Sequence, residues 1–249
     1  MTLVPHGEPP VYFTFPGLAR LGLPHATTTR HCPGIAAWSE SKGPFHAGAA
    51  RGLAGTGLDL RRVAWARQVH GAEEAIVGAQ GGFSGAADVL VTVETGLPLT
   101  IFTADCLALL LYDPTARVLG AAHVGWRGTV AGAAQAAVTA MIRAGAQAEG
   151  LHVVVAPSIG PCCYEVDEPV VARFRSAYPG GSERWVRPVR PGHWMLDLWT
   201  ANEELLLGAG VPAERIENPR LCTACHTDLL YSYRKRHRGR LLTLAALPR

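Results

Sequence analysis

Lysine is scarce in this chain of 249 residues: Lys42 and Lys235 are the only two, and arginine supplies the rest of the 23 basic side chains. Against 20 acidic side chains the formal net charge is only +3, which gives no reason to expect nucleic acid as a partner. The sequence also has no P-loop, no G-x-S-x-G and no G-x-G-x-x-G. The common motifs of nucleotide-binding proteins and hydrolases are therefore absent.

Long apolar segments are missing as well. The first residues have neither the basic start nor the apolar core of a secretion signal, and the most apolar long run, residues 128–142, consists mainly of Ala, Gly, Thr and Gln. We therefore expect a cytoplasmic protein that does not contact a membrane. Its six cysteines should then be reduced thiols, metal ligands or buried apolar side chains.

Strand and helix patterns alternate along the chain. Strands are predicted over residues 89–93, 99–103, 107–112, 118–123, 151–156 and 241–247. Helices are predicted over residues 129–143, 168–177 and 200–207, and the polar segment 30–58 predicts a long loop with one short helix. This interleaving indicates a single domain of the α/β or α+β class.

Three segments place a potential metal ligand at the edge of a strand: Gln68-Val-His70-Gly, Thr103-Ala-Asp-Cys106 and Ala122-His123-Val-Gly. One thiolate and two imidazoles suit zinc or copper, and three protein ligands leave a fourth tetrahedral position for water or substrate. Because the three residues lie far apart in sequence, burial in the core remains the alternative for each.

The segment Gly125-Trp-Arg127-Gly128 joins a predicted strand to a predicted helix. Backbone N–H groups at a helix start, next to a guanidinium, favour an anion such as phosphate. The alternative is an ordinary connection in which the glycines only permit the turn.

Two cysteine patterns and one basic run give weaker indications of a functional site. C-T-A-C-H at residues 222–226 lacks the second C-x-x-C that a structural zinc site would use, and P-C-C at residues 161–163 falls short of the deaminase pattern P-C-x-x-C. We interpret neither as a site. The basic run at residues 234–240 has no accompanying stacking motif, so we interpret it as a solvated hairpin rather than a nucleic-acid surface.

Taken together, the ordered segments resemble the laccase-domain family, whose members have been described as multicopper polyphenol oxidases and as purine nucleoside phosphorylases. The segments are Q-V-H-G (68–71), T-A-D-C-L (103–107), A-A-H-V-G-W-R-G (121–128), I-G-P (159–161), and C-T (222–223) followed by Y-S-Y-R (231–234). The resemblance implies an α+β fold, with a mixed β-sheet core and flanking helices, in a single domain over residues 1–249.

The resemblance also implies a zinc site formed by His70, Cys106 and His123, with copper as a possible substitute. It implies phosphorolysis of adenosine, inosine, guanosine and methylthioadenosine, together with deamination of adenosine. The partners would be these nucleosides and phosphate, and the oligomeric state stays open. Asp105, beside Cys106, is a candidate for the acid or base that deamination needs, and its alternative role is that of a structural carboxylate.

Phosphorolysis needs phosphate held against C1′ of the ribose, and arginines suit that task. Arg127 with the turn at Gly125 is the first candidate, and Arg30 and Arg51 are further ones. Arg234 would either help to build the pocket or brace the last strand.

The sequence departs from the family pattern in two places: His31-Cys32-Pro33-Gly34 stands where a G-G pair is usual, and His46 stands where asparagine is expected. An inactive nucleotide-binding relative is therefore one alternative. The other is a copper-dependent polyphenol oxidase, which fits poorly because a multicopper site needs about ten His and Cys ligands, in H-x-H pairs. The chain has ten histidines in all and no such pair.

Overall fold

The computed structural model describes residues 3–33 and 47–249. His46 and most of the segment around it lie outside the described residues. Within them, the α-helices are α1 (Pro16–Arg20), α2 (Ala47–Gly52), α3 (Trp126–Ala131), α4 (Ala133–Arg143), α5 (Glu168–Ala177) and α6 (Leu198–Gly208). None of these helices combines the length and apolarity needed to cross a bilayer.

The first sheet joins the two ends of the chain. Its strands, in spatial order, are β1 (Val4–His6), β2 (Tyr12–Thr14), β3 (His25–Thr28), β16 (Leu241–Ala245), β8 (Leu99–Thr103), β4 (Ala64–Arg67) and β6 (Gly82–Ala86). The pairs from β1 to β8 are antiparallel, whereas β4 runs parallel to both β8 and β6. The sheet is therefore mixed.

The second sheet is mixed as well. Its strands, in spatial order, are β15 (Ile216–Glu217), β11 (His152–Val155), β9 (Leu107–Asp113), β10 (Val118–Val124), β7 (Val89–Thr92) and β5 (Glu74–Ile76). A smaller third sheet contains β12 (Glu165–Asp167), β14 (His193–Leu196) and β13 (Val186–Arg190). These mixed sheets with flanking helices confirm the α+β class.

The second sheet lies between the first sheet and the helices, which explains its continuous apolar runs. Along β9, Leu107, Leu109 and Leu111 belong to the hydrophobic cluster shared with α4, α5 and α6. The alternate residues Ala108 and Leu110 belong to the cluster shared with the first sheet. A strand that is buried on both faces needs apolar side chains at every position, because successive side chains point to opposite faces.

The single helix predicted over residues 129–143 is wrong in one respect: the structure has two helices there, and the first begins at Trp126. Gly132 separates them with a left-handed backbone (φ 82°), which glycine adopts without the steric cost of a Cβ. The helix predicted over residues 200–207 begins earlier, at Leu198, because the Asp197 carboxylate accepts a hydrogen bond from the Thr200 N–H (3.0 Å) and caps it.

Candidate metal centre

The three predicted ligand segments meet at one edge of the two large sheets. His70 follows the end of β4, and Cys106 lies between β8 and β9. Because β4 and β8 are parallel neighbours, their carboxyl ends lie on the same side. His123 is the second-last residue of β10, at the end where Val124 pairs with Leu107, the residue after Cys106. The topology therefore brings together residues that are distant in sequence.

The ligand atoms of His70, Cys106 and His123 all lie within 4.8 Å of one another. The two imidazole rings stand nearly perpendicular, with their centroids 4.8 Å apart. His123 is buried, Cys106 is half-buried and His70 is exposed, so the cluster is closed on the sheet side and open on the other. Two nitrogens and one sulfur at this spacing fit a tetrahedral zinc ion with one free position.

The charges in the cluster favour the thiolate form of Cys106 together with a proton on His123, which a bound metal ion would replace. Burial opposes ionisation of the Cys106 thiol, but hydrogen bonds from His123 and His70 outweigh it and lower the pKa of Cys106 to about 6. Burial likewise opposes protonation of His123, but the Asp88 carboxylate and the Cys106 sulfur outweigh it and raise the pKa of His123 to about 9. The thiolate is the form of cysteine that binds a metal ion.

Gly125 leaves room for the ligands. A Cβ at this position would lie 2.9 Å from the Cys106 Sγ and 3.4 Å from the His70 Cδ2. Any side chain here would displace the sulfur or the ring. The structure therefore gives Gly125 a steric role beside the metal ligands. The helix that follows it, α3, has only six residues.

Asp88 is a candidate functional residue that is not among those predicted from the sequence. Its carboxylate, which is fully buried, accepts a hydrogen bond from the His123 Nδ1 (2.7 Å), leaving Nε2 of that ring for a metal ion. The same carboxylate accepts the backbone N–H groups of Val69, His70 and Gly71 at 2.8 to 3.2 Å. One buried anion thus orients two of the three ligands. The sequence does contain a sign of this role: an aspartate directly before an apolar strand, where a buried carboxylate needs hydrogen-bond donors.

These bonds also support a strained backbone. His70 has a positive φ of 62°, which is uncommon for a residue other than glycine. Such a conformation costs of order 1–3 kcal/mol and persists where the surroundings fix it. The three N–H bonds to Asp88 do so here.

Two adjoining cavities open onto the cluster. One, of about 420 Å³, is lined by His70, Cys106, His123 and Arg127 among others, and the second, of about 290 Å³, shares His70, Cys106 and Arg127. Aromatic side chains that are not among the residues selected from the sequence also line these cavities. Tyr233 lines both cavities, and Trp126 and Tyr164 line the second. Cavities of this size suit a small-molecule ligand.

Two of the predicted arginines lie at these cavities. The Arg127 guanidinium is exposed and stacks on Trp126, 4.4 Å from the ring centroid. The Arg234 guanidinium lies 5.2 Å from the centroid of Tyr164 and donates to the carbonyl oxygen of Glu165 (2.9 Å). Arg127 is therefore the more available cation, and Arg234 combines a place in the pocket wall with a bracing role.

Asp105 is tied into the wall of the second cavity. Its Oδ1 accepts a hydrogen bond from the Thr223 hydroxyl (2.6 Å), and its Oδ2 accepts one from the Arg234 N–H (2.7 Å). Its backbone, with φ 90°, is held by the Ile159 N–H, which donates to the Asp105 carbonyl (2.8 Å). Each carboxylate oxygen still has accepting capacity, so a structural role and a proton-carrying role are compatible.

The other two predicted arginines lie elsewhere in the described part of the chain. Arg30 donates to the Thr227 carbonyl oxygen and lies over the Tyr231 ring, 5.4 Å from its centroid. Arg51 is exposed on α2. Neither lines the two cavities. The structure therefore joins Gly125, Arg127 and Arg234 to the candidate metal centre, but not Arg30 or Arg51.

The structure brings together the C-T-A-C-H and P-C-C patterns, neither of which indicates a site when the sequence is considered alone. The sulfur atoms of Cys162, Cys163, Cys222 and Cys225 are all within 4.8 Å of one another. Each pattern alone has too few cysteines for a structural zinc site, and the fold combines the two patterns into one group of four.

The chain is similar to known proteins in both sequence and fold. The family model described as multi-copper polyphenol oxidoreductase laccase matches residues 46–248. A protein of Deinococcus radiodurans named purine nucleoside phosphorylase is 39% identical, over 95% of this chain and 96% of that protein. A protein of an unknown prokaryote named adenosine deaminase RL5 is 33% identical, over 72% of each chain. The crystal structure of YlmD from Geobacillus stearothermophilus has a TM-score of 0.87 and 29% identity, and the similarity covers 99% of this chain and all of that one.

Proposed function

Because the chain belongs to the multi-copper polyphenol oxidoreductase laccase family, with relatives named as purine nucleoside phosphorylases, we propose that it is a zinc-dependent purine nucleoside phosphorylase that also deaminates adenosine. The observation that carries this proposal is the His70–Cys106–His123 cluster at a cavity that also contains Arg127. We include in the proposal a cytoplasmic location, which suits the unpaired cysteines of the described residues.

We also propose that residues 1–249 form one unit of the laccase-domain type. Strands β7, β9 and β10 support this, since alternate residues of each belong to the two hydrophobic clusters. The second sheet is therefore shared by both hydrophobic clusters, which ties the two parts of the interior together.

The donor set accepts either zinc or copper, and we propose zinc because the His123 ring is bonded to a buried carboxylate, as zinc-bound histidines commonly are. One thiolate and two imidazoles, with one of these rings bonded to a buried carboxylate, are a common zinc arrangement. When bound, zinc supplies a Lewis acid for negative charge and activates water. His70, Cys106 and His123 would hold the ion, and Asp88 would keep the His123 Nδ1 protonated and its Nε2 directed inward.

In phosphorolysis, a phosphate oxygen bonds to C1′ of the ribose while the C1′–N9 bond breaks and the purine leaves with a proton. Positive charge develops on the sugar, so the phosphate must be held close and in line. Arg127 would bind the phosphate, and the rings of Trp126, Tyr164 and Tyr233 offer surfaces for a purine. This arrangement suits adenosine, inosine, guanosine and methylthioadenosine, because stacking and phosphate binding depend neither on the groups at C2 and C6 of the purine nor on the 5′ substituent of the ribose.

The first test is to incubate the protein with adenosine, with and without inorganic phosphate, and to identify the products by chromatography. We expect adenine and ribose 1-phosphate with phosphate, and inosine without it. Omitting phosphate is the internal control for the two reactions. An absence of turnover by the zinc-loaded protein would contradict the proposed function.

The second test separates the two roles of Asp105. In the Asp105→Asn variant, the amide keeps an acceptor for Thr223 but turns a donor toward the Arg234 N–H. If the carboxylate carries a proton at Oδ2 in deamination, we expect inosine formation to fall by about 10²–10⁴-fold and phosphorolysis to fall much less. The ratio of the two rates, measured on one preparation, is the readout.

The matched control is Thr223→Val, which removes one hydrogen bond to Asp105 and keeps the carboxylate. We expect it to leave that ratio unchanged. An equal loss of both reactions in Asp105→Asn would show that Asp105 is a positioning residue only.

The family description makes copper-dependent phenol oxidation the second candidate function. A multicopper oxidase needs a type 1 copper and a trinuclear cluster. The groups of metal-ligating side chains found in the described residues are one trio with two histidines and one group of four cysteines. That ligand set argues against oxidase chemistry, and aerobic oxidation of a phenol only after copper loading is the result that would favour it.

A further inference from the structure

The four cysteines that meet outside the catalytic cavity come from two separate loops. Cys162 and Cys163 follow β11, and Cys222 and Cys225 follow β15. The Cys225 Sγ is 3.5 Å from the Cys162 Sγ and 3.4 Å from the Cys163 Sγ. All four sulfur atoms lie within 4.8 Å of one another.

We propose that these four thiolates bind one zinc ion in a structural site. A tetrahedral ion with Zn–S bonds of about 2.3 Å places its sulfur ligands about 3.8 Å apart. Two sulfur pairs here, at 3.5 and 3.4 Å, are slightly below that spacing and every pair is within 4.8 Å, so small rotations of the side chains would complete the tetrahedron. A disulfide would join only two of the four sulfurs and needs a separation of about 2.05 Å.

The backbone prepares this arrangement. Ser158 and Cys222 form an isolated parallel bridge, in which the Thr223 N–H donates to the Ser158 carbonyl (3.1 Å). The Gly160 N–H donates to the Cys222 Sγ (3.3 Å), a bond that stabilises a thiolate ligand. The Cys225 N–H donates to the Cys222 carbonyl (3.2 Å), which folds the C-x-x-C segment into a tight turn. Both loops are thus fixed before any ion binds.

Four protein ligands leave no open position, so this site would be structural rather than catalytic. Cys222 is buried, whereas Cys162 and Cys225 are exposed, so an ion can enter from solvent. The site is also close to a positive group, since the Arg234 guanidinium lies 3.4 Å from the Cys163 carbonyl oxygen. A cation nearby suits a zinc–tetrathiolate, which carries net negative charge.

The place of the site suggests what it supports. The loop with Cys162 and Cys163 also provides Ile159, whose N–H holds the Asp105 carbonyl, and Tyr164, which lines the catalytic cavity. The loop with Cys222 provides Thr223, whose hydroxyl holds the Asp105 carboxylate. An ion that joins the two loops would therefore fix the cavity wall on the Asp105 side.

The test measures bound zinc per chain in protein purified without chelator. We expect about two equivalents in the wild type, and about one in the Cys162→Ser/Cys225→Ser double variant. Cys106→Ala, which removes a ligand of the catalytic cluster, should keep the equivalent bound by the four cysteines. Cys32→Ser is the matched control, because Cys32 is buried away from both clusters and should leave both equivalents in place.

A spectroscopic measurement on Cys106→Ala avoids reliance on the double variant, should that fail to fold. After replacement of zinc by cobalt(II), four thiolate ligands should give intense sulfur-to-cobalt charge-transfer bands for one equivalent. Cys106→Ala protein that binds neither zinc nor cobalt would overturn the site. A disulfide among the four cysteines, found by alkylation and mass spectrometry of the native protein, would overturn it too. Neither readout depends on the proposed enzymatic activity.

Discussion

The Cys106→Ala variant is expected to lose the zinc ion held with His70 and His123, and with it both phosphorolysis and deamination. The sulfur is the only anionic donor in the trio, and hydrogen bonds from both rings favour its ionised form. Substitution of a residue that hydrogen-bonds to a metal ligand typically lowers metal affinity by roughly 10–100-fold. Loss of a ligand itself should lower it more. Metal analysis after dialysis, with product assays on the same sample, measures both losses.

The matched control for this variant is Cys32→Ala. Burial raises the pKa of the Cys32 thiol to about 11, so it stays protonated and inert at neutral pH. We expect its zinc content and product formation to equal those of the wild type. If Cys106→Ala still phosphorolysed or deaminated adenosine at the wild-type rate, the assignment of the metal centre would be wrong.

The three candidate metal ligands could be proposed from the sequence because each lies in a distinctive local segment at a strand edge. Asp88 could not, because its importance depends on two contacts that only the fold creates. It meets His123 through the pairing of β7 with β10, and it meets residues 69–71 through the loop that follows β4. The four cysteines show the same limit: their two patterns are about 60 residues apart and incomplete when each is considered alone.

The fold was predictable where the chain is buried on both faces. Strands β8, β9 and β10 consist of uninterrupted buried residues, and their predicted ranges differ from the observed ones by at most one residue at an end. The short strands β1, β5 and β6 carry partly exposed residues and weak alternation, so no local pattern distinguishes them from loops. Their pairing with neighbouring strands supplies the hydrogen bonds that define them.

Asp88→Asn is expected to weaken zinc binding at the catalytic cluster by about 10–100-fold, without removing any ligand. The carboxylate accepts on both oxygens: Oδ1 from the His123 ring and the His70 N–H, and Oδ2 from the N–H groups of Val69 and Gly71. An asparagine must turn its NH₂ group toward one of these sets of donors. Either His123 loses its orientation or the loop with His70 is released. A competition titration with a chromogenic chelator measures the change in affinity.

A matched control is available at the opposite end of β9. The Asp113 carboxylate is also buried and accepts the backbone N–H groups of Thr115, Ala116 and Gln147 at 2.9 to 3.1 Å, but it contacts no metal ligand. We expect both variants to lower the free energy of unfolding, but Asp113→Asn should leave zinc affinity unchanged. If both variants weakened zinc binding equally, Asp88 would act through general stability. If neither did, the His123 ring would be oriented by the sheet alone.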